Sequence, residues 1–168
     1  NWVVVKNGSA QEMPGCLELE GRRLPKGRFE FVDRGTEDDV AVRNNRAAFE
    51  RIKLRPSVLR DVSTRSRSTT VFGNQQSLPI AIAPTGSAGL MWHNGEIALA
   101  RAAARAGIPC TIATGAMTAI EEIADAARGC RLWFQLYMWP ERKLSHQLVA
   151  RAKAAGYEGL VVTVDSPV

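Results

Sequence analysis

Two stretches on either side of a helix-length segment decide the fold: Arg131-Leu-Trp-Phe-Gln-Leu-Tyr137 and Gly159-Leu-Val-Val-Thr-Val164. Each is short, apolar and rich in β-branched or aromatic residues, as a strand covered on both faces must be. Residues 141–155 between them read as a helix, and Gly156 supplies a turn residue before the second strand. A strand, a crossover helix and a strand in that order pair in parallel. The same unit repeats towards the N-terminus: strand Pro79-Ile-Ala-Ile-Ala83, helix Gly95–Ala106, strand Ile108-Pro-Cys-Thr-Ile-Ala113 and a helix around 118–127. Gly107, Gly129 and Gly156 suit left-handed helix ends, and Thr118 stands three residues before Glu121, a capping-box spacing. Four strands alternating with helices are the pattern of a βα barrel or a doubly wound sheet.

Upstream of residue 78 the chain is irregular. Leu24-Pro-Lys-Gly27 breaks it, a short helix follows from Phe29, and a second is expected over 37–50, where Val40, Val42, Ala47 and Phe49 stand among charges. Arg55-Pro56 and residues 63–70 read as connecting chain, and a hairpin is expected between 69–72 and 78–83 across Gly73-Asn74. Residues 1–77 therefore form an N-terminal helical and irregular segment that includes the start of a hairpin. Residues 78–168 carry the four strand–helix units. The chain stops after the fourth strand, at Asp165-Ser-Pro-Val168, whereas an eight-stranded barrel takes roughly 200–250 residues. If the fold is a barrel, half of it is expected here and the remainder is missing.

The composition narrows the class. With 168 residues, 45% apolar and 23% charged, the chain is that of a globular protein, and no apolar run approaches the roughly 20 residues of a membrane span. Asn1-Trp-Val-Val-Val-Lys6 lacks a secretory signal, and Cys16, Cys110 and Cys130 are odd in number without metal-ligand spacing. The expectation is a cytoplasmic protein without a metal site. Of the net +5, much lies in Arg51, Lys53, Arg55, Arg60, Arg65 and Arg67, opposed only by Asp61. An anionic partner, nucleic acid or a phospholipid surface, would suit such a run. The charges are interleaved with Leu, Val and Ser, and no aromatic residue is present to stack on a base. A solvated connecting segment is the favoured reading; nucleic acid is not expected as a partner, and peripheral membrane contact is left open.

Polar residues gather at the C-terminal ends of the strands: Pro84-Thr85-Gly86, Thr114-Gly115, Gln135 with Tyr137, and Thr163 with Asp165. The last two pairs are spaced i, i+2, which puts each on one face of its strand. This edge of a parallel α/β fold is where ligands bind and catalysis occurs. Singly, Gln135 or Thr163 could satisfy neighbouring backbone and Asp165 could cap a helix; four equivalent strand ends point to a site.

Ile82-Ala-Pro-Thr-Gly86, Gly95-Glu96 with Ala100-Arg-Ala-Ala103, Trp133-Phe-Gln-Leu-Tyr137 and Val162-Thr-Val-Asp-Ser-Pro167, preceded by Leu24-Pro-Lys26, Phe29-Glu-Phe31, Gly35-Thr-Glu-Asp38 and Asn44-Asn-Arg46, resemble one family. It is the FMN-dependent α-hydroxy acid dehydrogenases and oxidases, which include glycolate oxidase, mandelate dehydrogenase and flavin lactate dehydrogenases. The likeness spans about residues 22–168 and implies the N-terminal half of a TIM (β/α)8 barrel with FMN across its C-terminal mouth. It implies that Pro84, Thr85 and Gly86 line the flavin, that Ala113 and Thr114 contact it, and that Gln135 and Thr163 hydrogen-bond its polar edge. Tyr137 would bind the substrate and stabilise charge at its oxygen, and Asp165 would orient a histidine base. The implied reaction takes an (S)-2-hydroxy acid, mandelate- or lactate-like, to the 2-oxo acid. The family's catalytic histidine and arginine belong to the missing half; neither His93 nor His146 sits at a strand end to replace them. A homotetramer is also implied.

Three positions depart from the family. Phe31 stands where a tyrosine would bind the substrate carboxylate, Ala113 where many members carry serine, and Gly86 where alanine is common. Two other readings remain at this stage: another FMN barrel enzyme, such as an isomerase or nucleotide dehydrogenase, and a non-catalytic half-barrel that binds or assembles through its open strand edges.

Overall fold

The computed structural model describes residues 24–164; Cys16, residues 1–20 and Asp165 lie outside them. The described chain falls into two compact units that divide between Ser66 and Arg67.

The first unit holds α1 (Lys26–Asp33) and α2 (Val40–Arg51). Pro25 precedes α1 and its carbonyl accepts from the N–H groups of Arg28 (2.9 Å) and Phe29 (3.1 Å), so this helix begins three residues earlier than expected. In the connecting loop the Gly35 N–H donates to Asp39 Oδ1 at 2.7 Å. A Cβ on Gly35 would lie 2.5 Å from a Val42 methyl and 2.9 Å from that carboxylate, so only glycine lets the loop fold back on α2. Residues 53–66 follow as exposed chain without helix or strand.

The second unit opens with an antiparallel hairpin of β1 (Thr69–Val71) and β2 (Asn74–Gln76), with Thr69 opposite Gln76 and Val71 opposite Asn74. This corrects the expected pairing of 69–72 with 78–83. The tight turn is Phe72-Gly73, whose φ angles of 49° and 77° are both positive, as in a type I′ turn. The first barrel strand, expected over 79–83, shrinks to a single parallel bridge between Ile82 and Cys110. Pro79 has no N–H to offer, and the Gln76 side chain takes the carbonyls of Leu78 (2.7 Å) and Ile80 (3.3 Å).

The rest follows the expected alternation: α3 (Ala88–Met91), α4 (Gly95–Ala106), β3 (Cys110–Ile112), α5 (Ile120–Ala126), β4 (Leu132–Tyr137), α6 (Arg142–Ala154) and β5 (Gly159–Thr163). The three strands form a parallel sheet in the order β3-β4-β5. Its even-numbered residues Cys110, Ile112, Leu132, Phe134 and Leu136 pack in one core with Ile97, Ala100 and Ala103 of α4, Ile120 and Ile123 of α5 and Ala152 of α6. Strand periodicity of two then turns Thr111, Ala113, Gln135, Tyr137 and Thr163 to the opposite face, the barrel interior. α4 stops at Gly107, which takes φ +64° and donates to Ala103 and Ala104. The expected Thr118 cap is not made: Ala119 is the N-cap residue of α5, with no side-chain cap bond, and the Thr118 hydroxyl is engaged elsewhere. The architecture is the first part of a (β/α)8 barrel behind a partly helical N-terminal segment.

Candidate active site

Register places the polar residues of β3, β4 and β5 at neighbouring levels, because Tyr137 pairs with Thr163 and Ile112, two residues before Thr114, pairs with Phe134, one residue before Gln135. Gln135, 2% exposed, joins all three strands. Its Oε1 accepts from the Thr114 N–H at 3.0 Å, and its Nε2 donates to Thr163 Oγ1 at 2.8 Å. The Thr114 N–H can only donate, which fixes the amide with its oxygen towards β3 and its nitrogen towards β5. The Thr114 hydroxyl donates to the Gln135 carbonyl at 2.6 Å and accepts from the Tyr137 N–H at 3.1 Å. One Nε2 hydrogen and the Thr163 hydroxyl hydrogen are left over in this scheme. Thr163 is half-buried, whereas Tyr137 is 42% exposed at the mouth.

Pro84, Thr85 and Gly86 are exposed at the end of the first barrel strand, and the Thr85 hydroxyl donates to the Ala83 carbonyl at 3.4 Å. The Ser87 N–H donates to the Gly115 carbonyl at 2.9 Å and joins this loop to the one after β3. Gly86 and Gly115 face each other across that junction: a Cβ on Gly86 would stand 3.9 Å from the Gly115 oxygen, and one on Gly115 3.8 Å from the Gly86 Cα. The rim here is bare main chain. Ala113 is buried, and its methyl carries no hydrogen-bonding group. The structure thus brings Thr114, Gln135, Tyr137 and Thr163 together and joins the Gly86 loop to them through Gly115. Phe31 lies on α1 of the first unit, 75% exposed. His93 and His146 are exposed, beside the start of α4 and within α6.

Two side chains that hold this rim were given no role from the sequence. Ser145, fully buried in α6, accepts the Trp139 N–H at 3.0 Å and anchors the turn after β4. Glu96, 2% exposed in the first turn of α4, accepts from the N–H groups of Gly89 (3.0 Å) and Met117 (2.9 Å) and from the Thr118 hydroxyl (3.1 Å). Burial alone would raise its carboxyl pKa; the donors Met117, Gly89, its own backbone and Thr118 outweigh that and hold it below the ordinary 4.5. A carboxylate beside Gly95 at the head of an alanine-rich helix was the available signal. Among the described residues no cluster of His, Cys, Asp or Glu could hold a metal ion.

A parallel α/β barrel with neutral hydrogen-bonding side chains gathered at its C-terminal strand ends defines a class of barrel enzymes that bind ligands at that mouth. The sequence profile described as FMN-dependent dehydrogenase matches residues 21–168, and the chain belongs to that family. It is 44% identical over 161 residues to a putative L-lactate dehydrogenase of Mycobacterium tuberculosis, covering 96% of this chain and 39% of that protein. It is also 44% identical over 146 residues to 2-hydroxyacid oxidase 2 of Homo sapiens, covering 87% of this chain and 42% of that one. A crystal structure of a soluble mutant of the membrane-associated (S)-mandelate dehydrogenase from Pseudomonas putida matches with a TM-score of 0.86 at 40% identity, over 92% of this chain and 44% of that one. The chain thus spans about two fifths of the length of the relatives it matches.

Proposed function

We propose that residues 78–168 are the first four βα units of an eightfold barrel that oxidises an (S)-2-hydroxy acid, mandelate- or lactate-like, to the 2-oxo acid with bound FMN. The observation that carries this reading is the Thr114–Gln135–Thr163 chain beside Tyr137, in a sequence of the FMN-dependent dehydrogenase family. The residues suit the group. The rim at Gly86 and Gly115 presents main chain without a protruding Cβ, which a flat ring system can approach closely. The remaining Nε2 hydrogen of Gln135 and the hydroxyl hydrogen of Thr163 are neutral donors that match the carbonyl and ring-nitrogen edge of a flavin.

When bound, FMN supplies the two-electron acceptor for the pair that leaves the substrate α-carbon. Thr85 and the Pro84–Gly86 main chain would hold one side of it, with Ala113, Thr114, Gln135 and Thr163 along the polar edge. Tyr137 would donate its phenolic hydrogen to the substrate's hydroxyl or carboxylate oxygen, steadying negative charge as the carbonyl forms. Asp165 would orient the histidine that takes the proton, and that histidine and the carboxylate-binding arginine would come from the later strands. By the family resemblance, Phe31 would stand in place of a substrate-binding tyrosine and would bring no hydrogen bond.

The proposal extends to the setting: a cytoplasmic homotetramer, with peripheral membrane contact left open. The free thiols Cys110 and Cys130 support the first, and a related (S)-mandelate dehydrogenase described as a monotopic membrane protein supports the last. Among the described residues no helix is long and apolar enough to cross a membrane. The test is reconstitution of the whole barrel with FMN. A flavin absorbance spectrum that bleaches anaerobically on adding mandelate or lactate is the expected result. Absence of the spectrum, or no bleaching by any 2-hydroxy acid, overturns the reading.

A further inference from the structure

We propose that Glu96 is a positioning residue for the flavin: its one buried carboxylate clasps the loops after the first and second barrel strands and so fixes the rim that faces FMN. The inference rests on the flavin site proposed above and adds a residue to it. Oε1 takes the amides of Gly89, in the loop and short helix after the first strand, and of Met117, in the loop after β3; Oε2 takes the Thr118 hydroxyl. Gly89 lies three residues after Gly86, and Met117 two after Gly115, so the clasp acts within three residues of both rim segments. The carboxylate itself rides on α4, whose Ala100 and Ala103 are fully buried, and is therefore held by a rigid element.

The space around the clasp is shaped for it. A Cβ on Gly89 would lie 2.9 Å from Glu96 Oε2 and 2.9 Å from the Met117 Cβ, so the loop closes on the carboxylate only because position 89 carries no side chain. A Cβ on Gly95 would overlap the Ala88 carbonyl, so the same glycine pattern lets α4 abut the short helix. The bond from Ser87 N–H to the Gly115 carbonyl then ties the two loops directly, on the site side of the carboxylate.

The three contacts predict how substitutions rank. In Glu96→Gln the amide oxygen still accepts both N–H groups, and the amide nitrogen donates to Thr118 Oγ1, whose hydroxyl turns from donor to acceptor. In Glu96→Ala two amides and a hydroxyl lose their buried partner. In the whole barrel, Glu96→Ala is expected to weaken FMN binding about tenfold to hundredfold, to shift the visible flavin spectrum, and to speed hydrogen exchange at the Gly89 and Met117 amides. Glu96→Gln should stay within about threefold of the parent. Ile123→Val, a core change away from the rim, should lower the melting temperature and leave FMN affinity unmoved. Should Glu96→Ala fail to fold, Thr118→Val removes one contact alone, with about a threefold loss of affinity and faster exchange at Met117.

Four outcomes overturn the clasp: unchanged FMN affinity and exchange in Glu96→Ala, an equal loss in Ile123→Val, a loss in Glu96→Gln as large as in Glu96→Ala, or unchanged exchange in Thr118→Val. A parent protein that takes up no FMN defeats the proposed function instead, and exchange at Gly89 and Met117 then still decides whether Glu96 holds the two loops.

Discussion

Tyr137 and Gln135 occupy the same face of β4 and divide the work by exposure. Gln135 is buried and engages Thr114 through its oxygen and Thr163 through one amide hydrogen, with the other hydrogen left over, whereas Tyr137 keeps its side chain at the mouth. Tyr137→Phe removes one donor without disturbing the Tyr137 N–H bond to Thr114. In the whole enzyme it should lower kcat/KM about tenfold to hundredfold with FMN affinity unchanged, measured by steady-state kinetics and flavin titration. Cys110 shows the opposite, inert kind of burial. Desolvation, with Cys130 nearby, pushes its thiol up to about 12. At pH 8 only about one thiol in ten thousand is then thiolate, so Cys110 should resist iodoacetamide in the folded protein and react once denatured. Alkylation of native Cys110 within minutes would contradict the packing described.

Local spacing found the strands and helices that are covered on both sides, and missed contacts that are set by partners far along the chain. β4 was legible because a central parallel strand is buried on both faces and so is mostly apolar, with Gln135 the exception. The hairpin was displaced because its second arm, Asn74-Gln-Gln76, is polar and lacks the apolar strand signal of the run after it. Thr118 has the spacing of a cap, yet its hydroxyl goes to Glu96, 22 residues away in sequence. The strand-end polar set was visible as residue types; that Gln135 would link β3 to β5 needed the register, and Asp165 falls outside the described residues.

The junction of α3 with α4 allows two further tests. Gly95→Ala would ordinarily favour a helix by up to about 1 kcal/mol, but here the new methyl meets the Ala88 carbonyl. A net loss of about 1–3 kcal/mol is expected, read from the denaturant midpoint. Acid tests the Glu96 contacts. Its pKa is lowered in the fold, so its contribution is present above 4.5 and is lost as pH falls through the folded value. Stability of the parent should therefore decline below about pH 4.5 more steeply than that of Glu96→Gln.

Across the molecule the two ends of the sheet serve different purposes. Along its edge, β5 leaves Leu160, Val161 and Val162 between 37% and 48% exposed, on both faces of a strand that pairs on one side only among the described residues. By itself the 168-residue chain should therefore associate as concentration rises, and adding the later βα units should return it to one discrete species; sedimentation velocity reads both. At the end where the strands begin, the hairpin is fastened to the sheet. Phe72 meets the Trp133 ring edge-on at 5.5 Å, Arg131 reaches the Val71 carbonyl at 3.5 Å, and the Ser77 N–H donates to Gly107 at 3.0 Å. None of these groups borders the mouth. Substitutions can therefore accumulate in the loops at the mouth without loosening the hairpin's anchorage below, so the two ends are free to change independently of each other.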